Sequence, residues 1–433
     1  MKNTLFVSLI SLIALTAIYF NITPKTIVQV EDIEQYLDST HLETAQNDLQ
    51  KQLDFWEEKC QAAPDNMIYQ KKLASLYARN FKLSGNVFQL HQSDSILQAV
   101  NRRISGQVGV LQSLASNAIT RHAFAEADAY AEQALLTEEQ QFHSSLIKID
   151  VLLERGKRQE ALMLMNNLGT KTHFDYSIRM VKIQDQSGDL DSAIKEMEKA
   201  TALAKASALP SMINWSLSNL ADMYGHQGKI QKAYKTYLEA LSYDRADLHS
   251  LKGIAWIAFS HDKNPQTAKT ILHFLQSIHP IPDYELLLAD IAQYENNISE
   301  AAVYTSGFIK TASQPIYGNM YKRYLCLLEA PTDALAGLAI AKAEILERPH
   351  PMSYDLMAWA SFCQGNHAEA LRIVQENIVG QTEEPLALYH SALILKENGK
   401  WRMARKFLKA AQEASFELGP LIAQDIEGQL KRL

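Results

Sequence analysis

The sequence predicts an all-α solenoid of repeated helix pairs, and three observations predict it. A small residue recurs at a near-constant step: Ala127, Ala161, Ala193, Ala233, Ala268, Ala301, Ala336, Ala370 and Ala404 are 34, 32, 40, 35, 33, 35, 34 and 34 residues apart. The stretch just before that residue repeats its chemistry, as RGKRQEA from Arg155, SGDLDSA from Ser187, QGKIQKA from Gln227, NNISEA from Asn296, QGNHAEA from Gln364 and NGKWRMA from Asn398. Gly or Asn there suits the left-handed position that ends a helix. Between these turns, apolar residues fall at helical spacing on one side of each segment. A helix pair of this kind cannot bury its apolar face alone, so each unit implies neighbours.

The clearest unit runs from Trp215 to Arg245. Leu217, Leu220, Ala221 and Tyr224 share one side of a first helix, Gly228 sits in the turn, and Ile230, Ala233, Tyr237, Ala240 and Leu241 share one side of a second. Small side chains at Ala221 and Ala233 let the helices approach; Leu217, Tyr224 and Tyr237 fill the space beside them. This pattern resembles the tetratricopeptide (TPR) repeat, with its Leu, small residue, Tyr, Gly, Ala, aromatic and Ala spread over about 34 residues. The resemblance covers residues 64–416 and implies a right-handed superhelical solenoid of about ten helix-turn-helix repeats. A degenerate unit fits Met67 to Val100, and the unit from Tyr317 to Leu346 has a weak first helix. The 40-residue step falls on KASALPSMIN, where a second helix is extended before Pro210. Pentatricopeptide repeats, which have a similar period and bind RNA, fit less well, because this chain is acidic.

The ends of the chain read differently. Lys2 precedes LFVSLISLIALTAIYF, sixteen uncharged residues from Leu5 to Phe20. At 1.5 Å rise per residue this reaches roughly 24 Å, short for a spanning helix and long for a signal core. Residues 1–22 are therefore expected to be a signal peptide or a membrane anchor, which puts the repeats outside the cytoplasm, periplasmic or at the cell surface. No Cys follows the run. Residues 23–63 read as a polar tether, with Pro24, Glu31, Asp32 and Glu34, and then a helix from His41 to Gln61. That helix carries Leu42, Leu49, Leu53 and Trp56 on one face. Residues 417–433 read as a solvating cap helix, which a solenoid needs.

Composition narrows the function. Of the 433 residues 47% are apolar, and the net charge is −7. An acidic chain argues against a nucleic-acid groove, which needs clustered Lys and Arg. The three cysteines, Cys60, Cys326 and Cys363, form no CxxC pair. Hydrolase, zincin and phosphate-loop motifs are absent, so no catalytic residue, cofactor or metal site is expected. His261, His273 and His279 are the densest histidines; to bind an ion they would have to converge within about 2.1 Å of it. That region is the site of the competing reading, a metal- or ligand-handling accessory protein for a membrane enzyme.

Recognition remains. In TPR arrays the first helices line a concave groove. Transferred unit by unit, its positions fall on Trp215, Ser218, Asp222 and His226, then His249, Lys252, Trp256 and Phe259. Asp283, Leu286, Asp290 and Gln293 follow, then Asp355, Trp359 and Phe362, then Tyr389, Leu393 and Lys396. Aromatics interleaved with carboxylates suit a peptide or helix with cations and apolar anchors. The function expected is a protein–protein interaction scaffold, exported or membrane-tethered, whose partner lies in the cell envelope. The layout is similar to bacterial envelope assembly factors, without the C-terminal CxxC module that one group of them carries.

Overall fold

The computed structural model describes residues 26–169 and 172–433; the run read as a signal or anchor lies outside them. Among the described residues the chain is a succession of helices without strands. A leading helix α1 (Thr40–Ala62) is followed by ten antiparallel pairs. These are α2 and α3 (Met67–Ser84, Val87–Arg103), α4 and α5 (Val108–Thr120, Phe124–Leu136), α6 and α7 (Gln141–Glu154, Arg158–Asn167), α8 and α9 (Phe174–Asp185, Leu190–Ser207), and α10 and α11 (Pro210–His226, Ile230–Tyr243). Then come α12 and α13 (Leu248–Trp256, Pro265–Ile278), α14 and α15 (Asp283–Tyr294, Ile298–Ala312), α16 and α17 (Lys322–Glu329, Ala334–Glu347), α18 and α19 (Pro351–Cys363, His367–Asn377), and α20 and α21 (Pro385–Glu397, Trp401–Glu413). A final helix α22 spans Ser415–Arg432.

One turn geometry joins the helices of most pairs. Gly156, Gly188, Gly228, Gly365 and Gly399 all have φ between 70 and 83°, and Asn296 takes the same place at 60°. The next amide then reaches back five residues: Lys157 N to Leu152 O at 2.8 Å, Lys229 N to Tyr224 O at 2.8 Å, Asn366 N to Ser361 O at 3.0 Å. This is the Schellman closure, and it satisfies carbonyls that a helix end leaves open. Proline opens α10, α13, α18 and α20, where its missing N–H costs nothing.

Seven of the nine alanines of the periodic series are wholly buried. Ala301 and Ala336 are half-buried instead. In the second of these units the close approach falls one residue later, at Gly337, where a Cβ would sit 2.8 Å from Ala330. That unit has the shortest first helix of the array, the eight residues of α16, set off by a 3-10 turn at Pro315–Tyr317.

The array winds back onto itself. The turns of the first four pairs dock on the inter-pair loops of the later ones, and α10 docks on the start of α22, between residues 191 to 222 apart in sequence. Gly85 meets Ile281 and His279. Asn319 Nδ2 donates to His122 O at 3.1 Å. Glu347 accepts from Ala125 N at 3.0 Å, and Arg348 pairs with Glu154 at 2.9 Å. Gly156 lies against Pro349, Gly188 against Glu383 and Gly225 against Phe416. The two levels of the superhelix are thus in contact along a continuous seam.

Both chain ends are built into this body. The segment expected as a polar tether packs on α11 and on the π-helical turn Ile257–His261 that continues α12. Val28 and Ile33 join the central core, and Asp262 accepts from the amides of Ile27 and Val28 at 2.9 to 3.0 Å. Tyr234 OH donates to Asp32, and Arg245 donates to Gln35 O. The acidic residues masked a short apolar pattern. The Asp262 side chain is 1% exposed, and a charged acceptor contributes about 1.5–3 kcal/mol. Asp262→Asn should therefore speed hydrogen exchange of the Ile27 and Val28 amides by about tenfold or more. Unchanged exchange would mean that the buried Val28 and Ile33 and the bonds from Tyr234 and Arg245 hold the strap without Asp262.

At the other end, α22 closes α21 with Ile426, and its first turn also goes inside the superhelix. A kink at Gly419 (φ 78°, ψ 169°) and Pro420 makes this entry. Phe416 O accepts from Trp256 Nε1 at 3.0 Å and Ser260 Oγ at 2.6 Å. The expected cap is therefore also an occupant of the concave side.

Candidate binding cavity

The inner wall of the superhelix encloses a cavity of 610 Å³, within the size range of small-molecule sites. Helical spacing brings its residues in. On α10 they are Asp222, Gly225 and His226; on α12 Lys252, Gly253 and Trp256; on α14 Asp283, Leu286, Leu287 and Asp290; on α16 Arg323, Tyr324, Leu327 and Leu328. Each set recurs at three or four residues, one inward stripe per helix. His249 and Glu384 add to the rim, and Phe416, Glu417, Leu418 and Ile422 of α22 form one wall.

Most of its charges are engaged. Asp222 accepts from Tyr237 OH and lies 2.7 Å from His249 Nε2. Burial opposes a charge on His249, and the Asp222 carboxylate outweighs it, so the imidazole pKa lies above its ordinary value. Asp283 accepts from Tyr321 OH at 2.6 Å. Arg323 stands 3.7 Å from Glu384, and His226 3.7 Å from Glu417. Burial raises the Glu417 carboxyl, and His226 partly offsets this. Asp290 differs. Its carboxyl is accessible from the cavity, no cation pairs with it among the described residues, and the protein crowding around it pushes its pKa up to about 6. Lys252 likewise has no ion pair there.

The cavity unites Asp222, His226, Lys252, Trp256 and Asp290 of the groove positions read from the sequence, together with His249, Asp283 and Leu286. The others lie elsewhere. Trp215 is outside it, 40% exposed and edge-on to Phe174. Ser218 is buried, its hydroxyl spent on Trp215 O. Phe259 is core, packed against Trp256 and Tyr294. The wider π turn rotates it off the inner stripe that a regular helix would have continued. Gln293 is exposed beyond the cavity. Asp355 is buried and bonded to His390 Nδ1 at 2.9 Å, and Trp359 stacks on His390 at 4.3 Å; both belong to a separate cluster between α18 and α20. Aromatics and carboxylates at stripe positions are consumed as packing wherever neighbouring helices close over them.

Arg323, Tyr324, Glu384 and the α22 wall were not read as site residues. One signal for them was present. Gly225 and Gly253 lie inside helices, where glycine costs about 1 kcal/mol relative to alanine. A Cβ at Gly225 would sit 2.9 Å from the Phe416 ring, and one at Gly253 would collide with Tyr237.

The three histidines of the competing reading do not converge. His261 turns to Asp262, His273 to Tyr304 and His279 to Tyr284. Among the described residues no group of three or more His, Cys, Asp or Glu is placed to hold a metal ion. No helix among them is long and apolar enough to cross a membrane.

No protein-family model and no curated protein matches this sequence. Solved structures do. A tetratricopeptide repeat protein from Parabacteroides merdae is 18% identical over 60% of this chain and 98% of its own, with a TM-score of 0.34. Yeast Tom70 is 12% identical over 93% and 97%, with a TM-score of 0.35. Human IFIT1, as a dimer with m7Gppp-AAAA, is 13% identical over 75% and 76%, with a TM-score of 0.47.

Proposed function

We propose that this protein is a protein–protein interaction scaffold, exported or tethered to a membrane through residues 1–22, which holds a protein or peptide partner of the cell envelope at its inner face. The observation that supports this reading is the cavity wall. It is preformed by helix faces braced on both sides, so little ordering cost falls on binding. Its carboxylates and leucines suit a partner that offers cations and apolar anchors. Because α22 already fills part of the concave side, the partner engages the remaining opening rather than lying along the whole groove.

In-cell crosslinking and recovery of the intact protein, beside an Asp290→Lys variant of unchanged circular dichroism, tests this. An envelope protein recovered with the first and reduced about tenfold or more with the second is the expected result. Equal recovery would move docking to the outer face. Protease digestion of intact cells, with the repeats fully protected and only cytosolic proteins recovered, would overturn the export reading.

A further inference from the structure

We infer that the inner cavity is a binding site for a small organic cation, a single ammonium group on an aliphatic or aromatic body. This goes beyond the scaffold reading, which requires only that a partner dock at the inner face.

Three features of the cavity specify the ligand. Its volume, 610 Å³, is that of a small-molecule site and far below what a helix would need. Its walls are apolar over most of their lining, which includes Leu287, Leu327, Leu328, Leu418, Ile422 and Trp256. One carboxylate, Asp290, stands in it without a counter-ion, while the other acids are bonded to Tyr237, Tyr321, His249, Arg323 or His226. Asp290 is exposed to the cavity, and apolar walls around a carboxylate strengthen its attraction for an opposite charge relative to open water. A bare metal ion would meet one acid and no second ligand. Among the described residues Lys252 is also without an ion pair, but Asp222, Asp283, Asp290, Glu384 and Glu417 outnumber Lys252 and Arg323, so the net field of the lining favours a cation over an anion. An ammonium on an apolar body satisfies both the acid and the walls.

The test is calorimetric titration of the full chain with n-hexylammonium, 1-hexanol and hexanoate at pH 7.5. Hexylammonium should bind at least about tenfold more tightly than hexanol, the margin of one charge-assisted hydrogen bond. Hexanoate should not bind. Asp290→Asn, which keeps shape and removes charge, should reduce hexylammonium to the affinity of hexanol. Leu418→Trp, which fills the cavity without touching its charges, should abolish both. Equal binding of hexylammonium and hexanol to the natural chain, or full affinity in Asp290→Asn, would overturn the proposal and leave an apolar pocket that does not select for charge. The blocked tripeptide acetyl-Leu-Lys-Leu-amide separates two sources of the same chemistry. If it binds as well as hexylammonium, the cation is a lysine side chain of a partner; if it is excluded, the ligand is a free amine. No hexylammonium binding by the natural chain, with partner recovery intact, would sink this inference and spare the scaffold.

Discussion

Gly156→Ala is expected to destabilise the protein by about 3 kcal/mol, against about 1 kcal/mol for Gly228→Ala. Both glycines end a first helix in the left-handed region, at φ 71° and 76°. Alanine therefore pays the same backbone strain at both, about 1 kcal/mol. Around Gly228 an added Cβ meets nothing within 4 Å; at Gly156 it sits 2.9 Å from Pro349 O. That oxygen belongs to backbone held in the loop before α18 and cannot swing away like a side-chain tip. The seam must open by several tenths of an ångström, and Arg348–Glu154 opens with it. In an ordinary solenoid each repeat contacts only its neighbours, so damage stays local. Here the seam ties the third pair to the loop between the eighth and ninth. The Gly156 variant should therefore also speed amide exchange around residues 347–350, which Gly228→Ala leaves alone. Equal urea midpoints for the two variants would mean that the levels do not touch in solution.

That contrast also marks what the sequence could show. The pairs, their turns and the Ala233 register were legible because the residues that make them recur within one unit of about 34 residues. Local chemistry repeated nine times stands out from noise. The seam joins residues 191 to 222 apart through unlike contacts, a glycine on a carbonyl here and an arginine on a glutamate there. No periodicity reports such pairings. The same holds for the ends of the chain. Nothing in the local sequence around Asp262 points to the N-terminal segment, and only the fold places the amides of Ile27 and Val28 on it. In the cavity, stripe transfer found Asp222, Lys252, Trp256 and Asp290, because regular helices preserve the stripe. It lost Phe259 at the π turn, where the helix ceased to be regular. It missed Phe416 to Ile422 because a cap helix was assumed to face water.

Acid should open the seam, and His350 is where the effect is largest. Its ring lies beside Gly156, and its Nδ1 caps α18 by accepting from Met352 N at 3.3 Å, a bond that only the neutral ring makes through that nitrogen. Burial, with Arg348, Arg158 and Arg323 nearby, pushes its pKa down to about 4. His122 and His279 on the same seam are lowered too, chiefly by burial. The sign follows from linkage. An unfolded histidine takes up its proton near pH 6.5 and the folded one only near 4, so the unfolded state binds more protons in between. Stability is therefore full above about pH 6.5 and falls as the pH drops toward 4, by about 2 kcal/mol at pH 5 from His350 alone. Buried carboxyls oppose this. Glu344 and Glu417 are raised by burial, and the folded state takes up their protons first as the pH falls. A melt of the natural chain thus reports the sum. His350→Asn isolates the histidine, because asparagine keeps a capping acceptor and does not titrate. The stability lost between pH 7.5 and 5.0 should be smaller in His350→Asn by about 2 kcal/mol. If both proteins lose the same amount, His350 takes up its proton in place and the seam does not sense acid through it.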